Sequence, residues 1–288
     1  GDNPERNGYI ELKFTNGLAV SGAVLEKLNG DDISIISTNN QTIKIVIVDG
    51  SGNLDTAYHY TGLATSGTNV IALTIAEYEA LKIIHSEDND TNININIKTT
   101  SYEVNDAGVP LSGVSGKAYS VDMTVKIEPS TDDISLEWND TNSQGTYSGD
   151  TFTFNNHDEG YYFNNPIDLD AILSNTSGGL FGTGGTKADL DGSEKRTYTV
   201  SGIPEGTVIT VGTQTAVANG SGIATLVFNN TNNTAADPEF SMKLPEHYSG
   251  TVNGTIKLSV QDKGVDSGDT AGVIKTAEVY FNVVVTPV

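Results

Sequence analysis

Asp189-Leu190-Asp191-Gly192-Ser193-Glu194 sets three carboxylates within six residues, around a glycine that permits a tight bend. Carboxylates crowded this closely repel one another unless a cation lies between them. Hard oxygen donors at flexible spacing suit Ca2+, which takes six to eight oxygens at roughly 2.3–2.6 Å. The rest of the chain favours the same ligand. Its 288 residues set 37 Asp and Glu against 15 Lys and Arg, a formal charge of -22. Ca2+ is the cofactor these residues predict. The same charge repels phosphate backbones and anionic lipids, which argues against nucleic-acid partners.

Other chemistry is poorly supported. There is no cysteine, so a zinc-thiolate site, a thiol nucleophile and a disulfide framework are excluded. The four histidines, His59, His85, His157 and His247, are scattered among polar residues and read as surface groups. Gly178-Gly-Leu-Phe-Gly-Thr-Gly-Gly-Thr-Lys187 lacks the Gly-Lys-Ser/Thr ending of a phosphate loop. Asp168 and Asp170 would make a glycosidase pair only in a cleft the sequence does not announce. No Gly-x-Ser-x-Gly elbow occurs. An enzyme is not expected.

Thr, Asn, Gly, Ser, Val and Ile are abundant, a composition of strands and turns. Alternating or β-branched runs cover residues 41–48, 92–98, 118–127, 197–203, 223–228, 255–260 and 275–285, separated by Gly, Asn, Asp or Pro. That spacing predicts an all-β sandwich class. Residues 73–84 alone read as a short helix, with Thr74 as cap and Glu77 three residues on; the alternative is a strand followed by one helical turn. No run of about 18 apolar residues and no charged-then-apolar leader occurs, so neither a membrane span nor an export signal is predicted.

A repeat organises these strands. Residues 118–127 run into Glu128-Pro129, and residues 276–285 run into Thr286-Pro287; both are long alternating last strands stopped by a proline. Asp31-Asp32 before Ile33–Ile36 takes the place that Asp189–Glu194 holds in the second half. Two domains are predicted, 1–130 and 131–288, with Ile134–Lys187 supplying extra strands and a long loop in the second.

Asn164-Asn-Pro-Ile-Asp168-Leu-Asp170, then Asp189-Leu-Asp-Gly-Ser-Glu194, Tyr198-Thr-Val-Ser-Gly-Ile-Pro-Glu-Gly206 and the closing Val-Val-Val-Thr-Pro-Val288 stand in one order. In that order they resemble the immunoglobulin-like and cadherin-like repeats of large bacterial RTX adhesins, of the biofilm and ice-binding type. The likeness covers the second half; the first half lacks both the full acidic turn and the Gly-Ile-Pro-x-Gly phrase. The resemblance implies two tandem Ig-like antiparallel β-sandwich domains in an elongated arrangement. It implies an extracellular extender on the bacterial cell surface, stiffened by Ca2+ near domain junctions. Partners would be neighbouring repeats of the same chain, with host or surface ligands reached through other domains.

On that arrangement three acidic groups are expected. Asp31 and Asp32 approach Asp132 and Asp133 at the linker, with Glu77 or Glu79 as further donors. Asp189, Asp191 and Glu194 face whatever follows Val288, with Glu246 nearby. Asp262, Asp266 and Asp269 lie at the opposite end from Glu194, toward the linker. A rival expectation is a Ca2+-dependent glycan- or peptide-binding module, with Trp138, Tyr161 and Tyr162 as a stacking platform. Trp138 follows Leu136 in an alternating pattern, which assigns it instead to a core.

Overall fold

The computed structural model describes residues 3–15, 24–27, 32–35, 42–85, 89–131, 133–138, 144–169, 173–174, 192–229 and 240–288. The protein is mostly β: strand makes up 52% of it, and the described helices are two short segments. The chain divides into two compact units, Gly1–Ile127 and Glu128–Val288.

The first unit has eight described strands: β1 (Glu5–Phe14), β2 (Val24–Glu26), β3 (Asp32–Ile35), β4 (Thr42–Ile47), β5 (Val70–Leu73), β6 (Lys82–Ile84), β7 (Ile93–Glu103) and β8 (Lys117–Val125). One sheet runs β5-β4-β1-β7-β8 and a second runs β3-β2-β6. Leu12 and Phe14 of β1, Ile43, Ile45 and Ile47 of β4, and Ile93 and Ile95 of β7 alternate onto one face, where Leu25 of β2 meets them in a common core. Each such fully buried side chain contributes about 1.5–3 kcal/mol of hydrophobic stabilisation. Helix α1 (Ile75–Glu79) sits between β5 and β6. Thr74 Oγ1 accepts from the Glu77 N–H, and a Glu77 oxygen accepts from the Thr74 N–H at 2.8 Å. The expected capping box therefore forms, but the helix ends after one turn, and Lys82–Ile84 is a strand.

The second unit contains β9 (Glu137–Trp138), β10 (Gly145–Ser148), β11 (Thr151–Phe154), β12 (His157–Asp158), α2 (Tyr161–Asn164), β13 (Ile167–Asp168) and β14 (Leu173–Ser174). It continues with β15 (Glu194–Ser201), β16 (Val208–Val211), β17 (Gln214–Val217), β18 (Ile223–Asn229), β19 (Phe240–Lys243), β20 (Gly250–Asp262) and β21 (Lys275–Thr286). The larger sheet runs β10-β11-β21-β20-β15-β18, with β12 also on β21; a smaller one runs β13-β19-β16-β17, and β14 pairs with β9. Trp138, Phe152, Tyr198, Phe240 and Phe281 belong to one core. Trp138 is 7% exposed and donates its indole N–H to the carbonyls of Asp150 and Tyr280. It is a core residue, not a platform.

Antiparallel pairing is not universal, as it had been expected to be. β5 lies parallel to β4, and both β11 and β12 lie parallel to β21.

Pairing in the second unit follows that in the first. β15 lies between β18 and β20 as β1 lies between β4 and β7; β20 pairs with β21 as β7 pairs with β8; β16 lies between β17 and β19 as β2 lies between β3 and β6. All these pairs are antiparallel. Under this correspondence β3, which Asp32 opens, matches β17, whereas Glu194 opens β15, which matches β1. Asp31-Asp32 is not the counterpart of the Asp189–Glu194 turn.

The Gly-Ile-Pro-Glu-Gly phrase has a local reason. Gly202 and Gly206 have φ of 73° and 84°, the left-handed region other residues disfavour. Between them Ile203 is anchored in the core at 3% exposure.

Candidate cation site

Inward positions of β15 alternate regularly: Glu194, Arg196, Tyr198 and Val200 are all buried. The first two of these four are charged. Glu194 is in register with Asp262 at the end of β20, and Asp262 is 9% exposed. Two carboxylates placed opposite one another across a ladder repel. Arg196 offsets that repulsion, its Nη2 and Nε donating to Glu194 Oε2 at 2.7 and 3.1 Å. Asp262 Oδ1 accepts from the Gly264 N–H at 2.9 Å, and the Asp262 N–H donates to Thr131 Oγ1 at 2.9 Å.

The loop after β20 folds back on this end. The Lys263 N–H donates to the Ser193 carbonyl at 3.2 Å, joining the loop to the last residues of the acidic turn. Asp269 Oδ2 accepts from the Asp266 N–H at 2.8 Å, and Oδ1 of the same carboxylate is buried with no hydrogen-bond partner. Thr270 donates its N–H to Glu128 Oε2 at 3.4 Å, and Lys275 Nζ meets Asp133 Oδ1 at 2.7 Å. The linker end of the second unit therefore gathers Glu128, Asp133, Glu194, Asp262, Asp266 and Asp269.

This placement corrects two expectations. Asp262, Asp266 and Asp269 lie at the same end as Glu194, because antiparallel pairing of β15 with β20 sets the start of one beside the end of the other. Glu194 accordingly faces the linker, not the segment that leaves at Val288. Glu246 is not near it. The adjoining His247 lies 3.6 Å from Glu159, which follows β12, and β12 pairs with the last residues of β21.

The remaining expected ligands divide as follows. Asp31, Asp132, Asp189 and Asp191 lie outside the described residues, as does the side chain of Asp32. Glu79 is exposed on α1. Glu77 is already engaged by Thr74 and by Lys27 Nζ at 3.3 Å, and these contacts, led by the Thr74 N–H, hold its carboxyl below the usual range. Among the described residues, no three Asp, Glu or His side chains group closely enough to hold a metal ion. The described carboxylates supply an acidic end and one unpartnered buried oxygen, while the densest part of the acidic turn falls outside them.

Two features went unread in the sequence. His59, expected at the surface, is 1% exposed. Its Nε2 accepts from the Ile47 N–H at 2.8 Å and its Nδ1 donates to the Gly8 carbonyl at 2.9 Å, so the neutral ring bridges β4 and an irregularity in β1. Burial pushes its pKa down. The second feature is a pocket of about 340 Å³ lined by Gln144, Asn155, His157, Tyr161, Asn165 and Asp168, among others. There the rings of His157 and Tyr161 stack at 3.5 Å, nearly parallel. Tyr162 behind them donates to the Asn155 carbonyl at 2.6 Å, and burial pushes its hydroxyl up to about 12.

The sequence matches no family model and no curated protein.

Proposed function

We propose that this chain is an extender segment of a bacterial surface adhesin: two Ig-like β-sandwich repeats in series, with Ca2+ held at the acidic linker end of the second repeat. One observation carries the reading. In each unit the chain comes in at one end of the strands and leaves at the other. In the first, Glu5 lies opposite Glu103, while β8 ends at Val125 opposite Ile93. In the second, Thr131 bonds Asp262 at one end of β20, while Val285 lies opposite Gly250 at the other. The 13 residues of β20 separate those ends by about 44 Å at roughly 3.4 Å per residue. A unit threaded end to end adds its full length to a fibre; a unit whose termini share one end does not.

The acidic end supplies the proposed stiffening. Glu128, Asp133, Glu194, Asp262, Asp266 and Asp269 concentrate negative charge at the linker end of the second unit, and Asp189 and Asp191 shortly precede Glu194 in the sequence. Empty, such an end repels itself; a cation bound there removes the repulsion and stiffens the loops next to the linker. Millimolar external calcium is enough for extracellular sites of low affinity. Small-angle scattering tests the mechanical claim: maximum dimension and flexibility are compared in millimolar CaCl2 and in EDTA. A narrower distribution of long particles in calcium supports the reading, and identical profiles contradict it.

A second reading rests on the pocket beside the His157–Tyr161 stack. Amides around an aromatic surface suit a glycan, as in a sugar-binding adhesin module. Binding on a glycan array that disappears in Tyr161→Ala would favour it.

A further inference from the structure

Part of the loop between β4 and β5, residues 55–61, lies as a strap across the start of β1. The Tyr58 carbonyl accepts from the Asn7 N–H at 2.9 Å, and the Tyr60 N–H donates to the Asn7 carbonyl at 3.3 Å. Arg6 Nε donates to the Thr56 carbonyl at 2.7 Å, and the Thr61 N–H donates to the Gly108 carbonyl at 2.8 Å. Within the strap His59 alone is buried; its neighbours are exposed or half-exposed. A segment with so little buried surface opens locally at low cost. His59 is what ties it down.

Among the described residues the ring bonds backbone groups, and those groups fix its protonation. The Ile47 N–H can only donate, so Nε2 presents a lone pair to it at 2.8 Å. The carbonyls of Gly8 and Asn7, 2.9 and 3.2 Å from Nδ1, can only accept, so Nδ1 carries the proton. A second proton on Nε2 sets N–H against N–H at a residue only 1% exposed, where a lost bond and a buried charge are both costly. The charged and titratable groups around the ring do not offset that cost. Asp55, on the strap itself, favours the charged ring, but burial outweighs it. From β1, Arg6 is turned onto Thr56, and the Tyr9 hydroxyl donates to the Ala64 carbonyl at 3.0 Å. From β4, Lys44 Nζ lies over the Tyr9 ring, and Tyr60 of the strap meets Tyr102 of β7 edge to face.

We propose that residues 55–61 are an acid-released strap: a proton taken up by His59 frees them from β1 and β4 while the sheets of the first unit stay folded. Opening turns the ring out to water, where both nitrogens can carry protons, and uncovers the Asn7 and Ile47 N–H groups. The sheets persist because their core, which includes Phe14, Ile43, Ile45 and Ile95, takes no residue from the strap. Above about pH 6.5 the ring is neutral whether the strap is open or shut, and the closed form is favoured. Below that value the open ring binds a proton that the closed one resists. Each pH unit then raises the open fraction by up to about tenfold, until the closed ring itself titrates.

Amide hydrogen exchange of the full 288-residue chain, read by NMR as protection factors at pH 7.5 and 5.5, tests this. Protection factors remove the intrinsic pH dependence of exchange. The amides of Asn7, Ile47, Tyr60 and Thr61 are expected to lose up to roughly tenfold in protection, while those of β7 keep theirs. His59→Gln can still accept from Ile47 and donate to Gly8 but does not titrate, so it should abolish the loss. Should that variant fail to fold, the ring nitrogen shifts of the unaltered chain decide, because protonation of His59 must follow the same pH course as the loss of protection. No loss at pH 5.5, an equal loss throughout β7, the same loss in His59→Gln, or a doubly protonated ring beneath fully protected amides would each overturn the proposal.

Discussion

Glu194 and Asp262 face each other across β15 and β20, two buried carboxylates in direct register, with Arg196 bonded to the first of them. The last residues of the acidic turn and the acidic loop are thereby brought to one end of one unit.

Arg196 is the internal counter-charge of that end. Its removal takes the guanidinium away from a buried carboxylate that lies opposite Asp262, and breaking a buried pair in this way costs about 3–5 kcal/mol. Arg196→Ala is expected to lower the denaturant midpoint of the second unit accordingly, and Glu194→Leu with Arg196→Met is expected to recover most of the loss. Equal destabilisation by the single and double changes would show that the pair is not what matters.

His59 predicts a pH dependence in the first unit. Its folded pKa lies below the unfolded value of about 6.5, because burial disfavours the charged ring. Above about pH 6.5 both states hold the neutral ring and stability is unaffected. As pH falls below that value the unfolded chain takes up a proton that the folded unit resists, and stability is lost. His59→Gln should remove this component between pH 7.5 and 5, seen as a shallower fall in melting temperature than in the unaltered chain. A fall as steep as the unaltered chain's would count against it.

Gly254 lies opposite Phe281 in the ladder, and a Cβ placed there would collide with the Phe281 ring. Gly254→Ala should destabilise the second unit by roughly 1–3 kcal/mol, the range for overpacking. Phe281→Leu in the same chain should return part of it, and a double-mutant cycle in urea measures the coupling.

Thr74 caps α1. Thr74→Ala should cost about 1 kcal/mol, and Thr74→Ser should cost far less. Because contacts with Thr74 hold the Glu77 carboxyl low, the box contributes fully above the ordinary carboxylate range and fades as pH falls through the folded value. Both variants keep the Thr74 N–H that leads this effect, so both should lose stability from pH 7 to pH 3. Most of the difference between their melts, set by the hydroxyl that accepts from the Glu77 N–H, should persist.

Much of the strand content was legible, for a physical reason. β4, β7, β18, β20 and β21 each bury one face, and one-sided burial leaves period two in the sequence. β1 was hard to see because a register shift between Asn7 and Ile10 breaks its alternation. β2, β6, β16 and β17 are only three or four residues long. Burial of His59 was illegible because its partners, Ile47 and Gly8, come from other strands. The acidic residues were readable as a class. Their grouping was not, since it depends on which strands pair: β15 beside β20 puts Asp262 with Glu194, and no local pattern encodes that choice.

Calcium-specific stabilisation tests the central claim most directly. Thermal melts are compared in EDTA, in millimolar CaCl2 and in equal MgCl2, the last controlling for general screening. By the linkage of binding to folding, the account predicts a rise in melting temperature with calcium, well above that with magnesium, that is lost in Asp189→Ala with Asp191→Ala. Three coincident curves would contradict it.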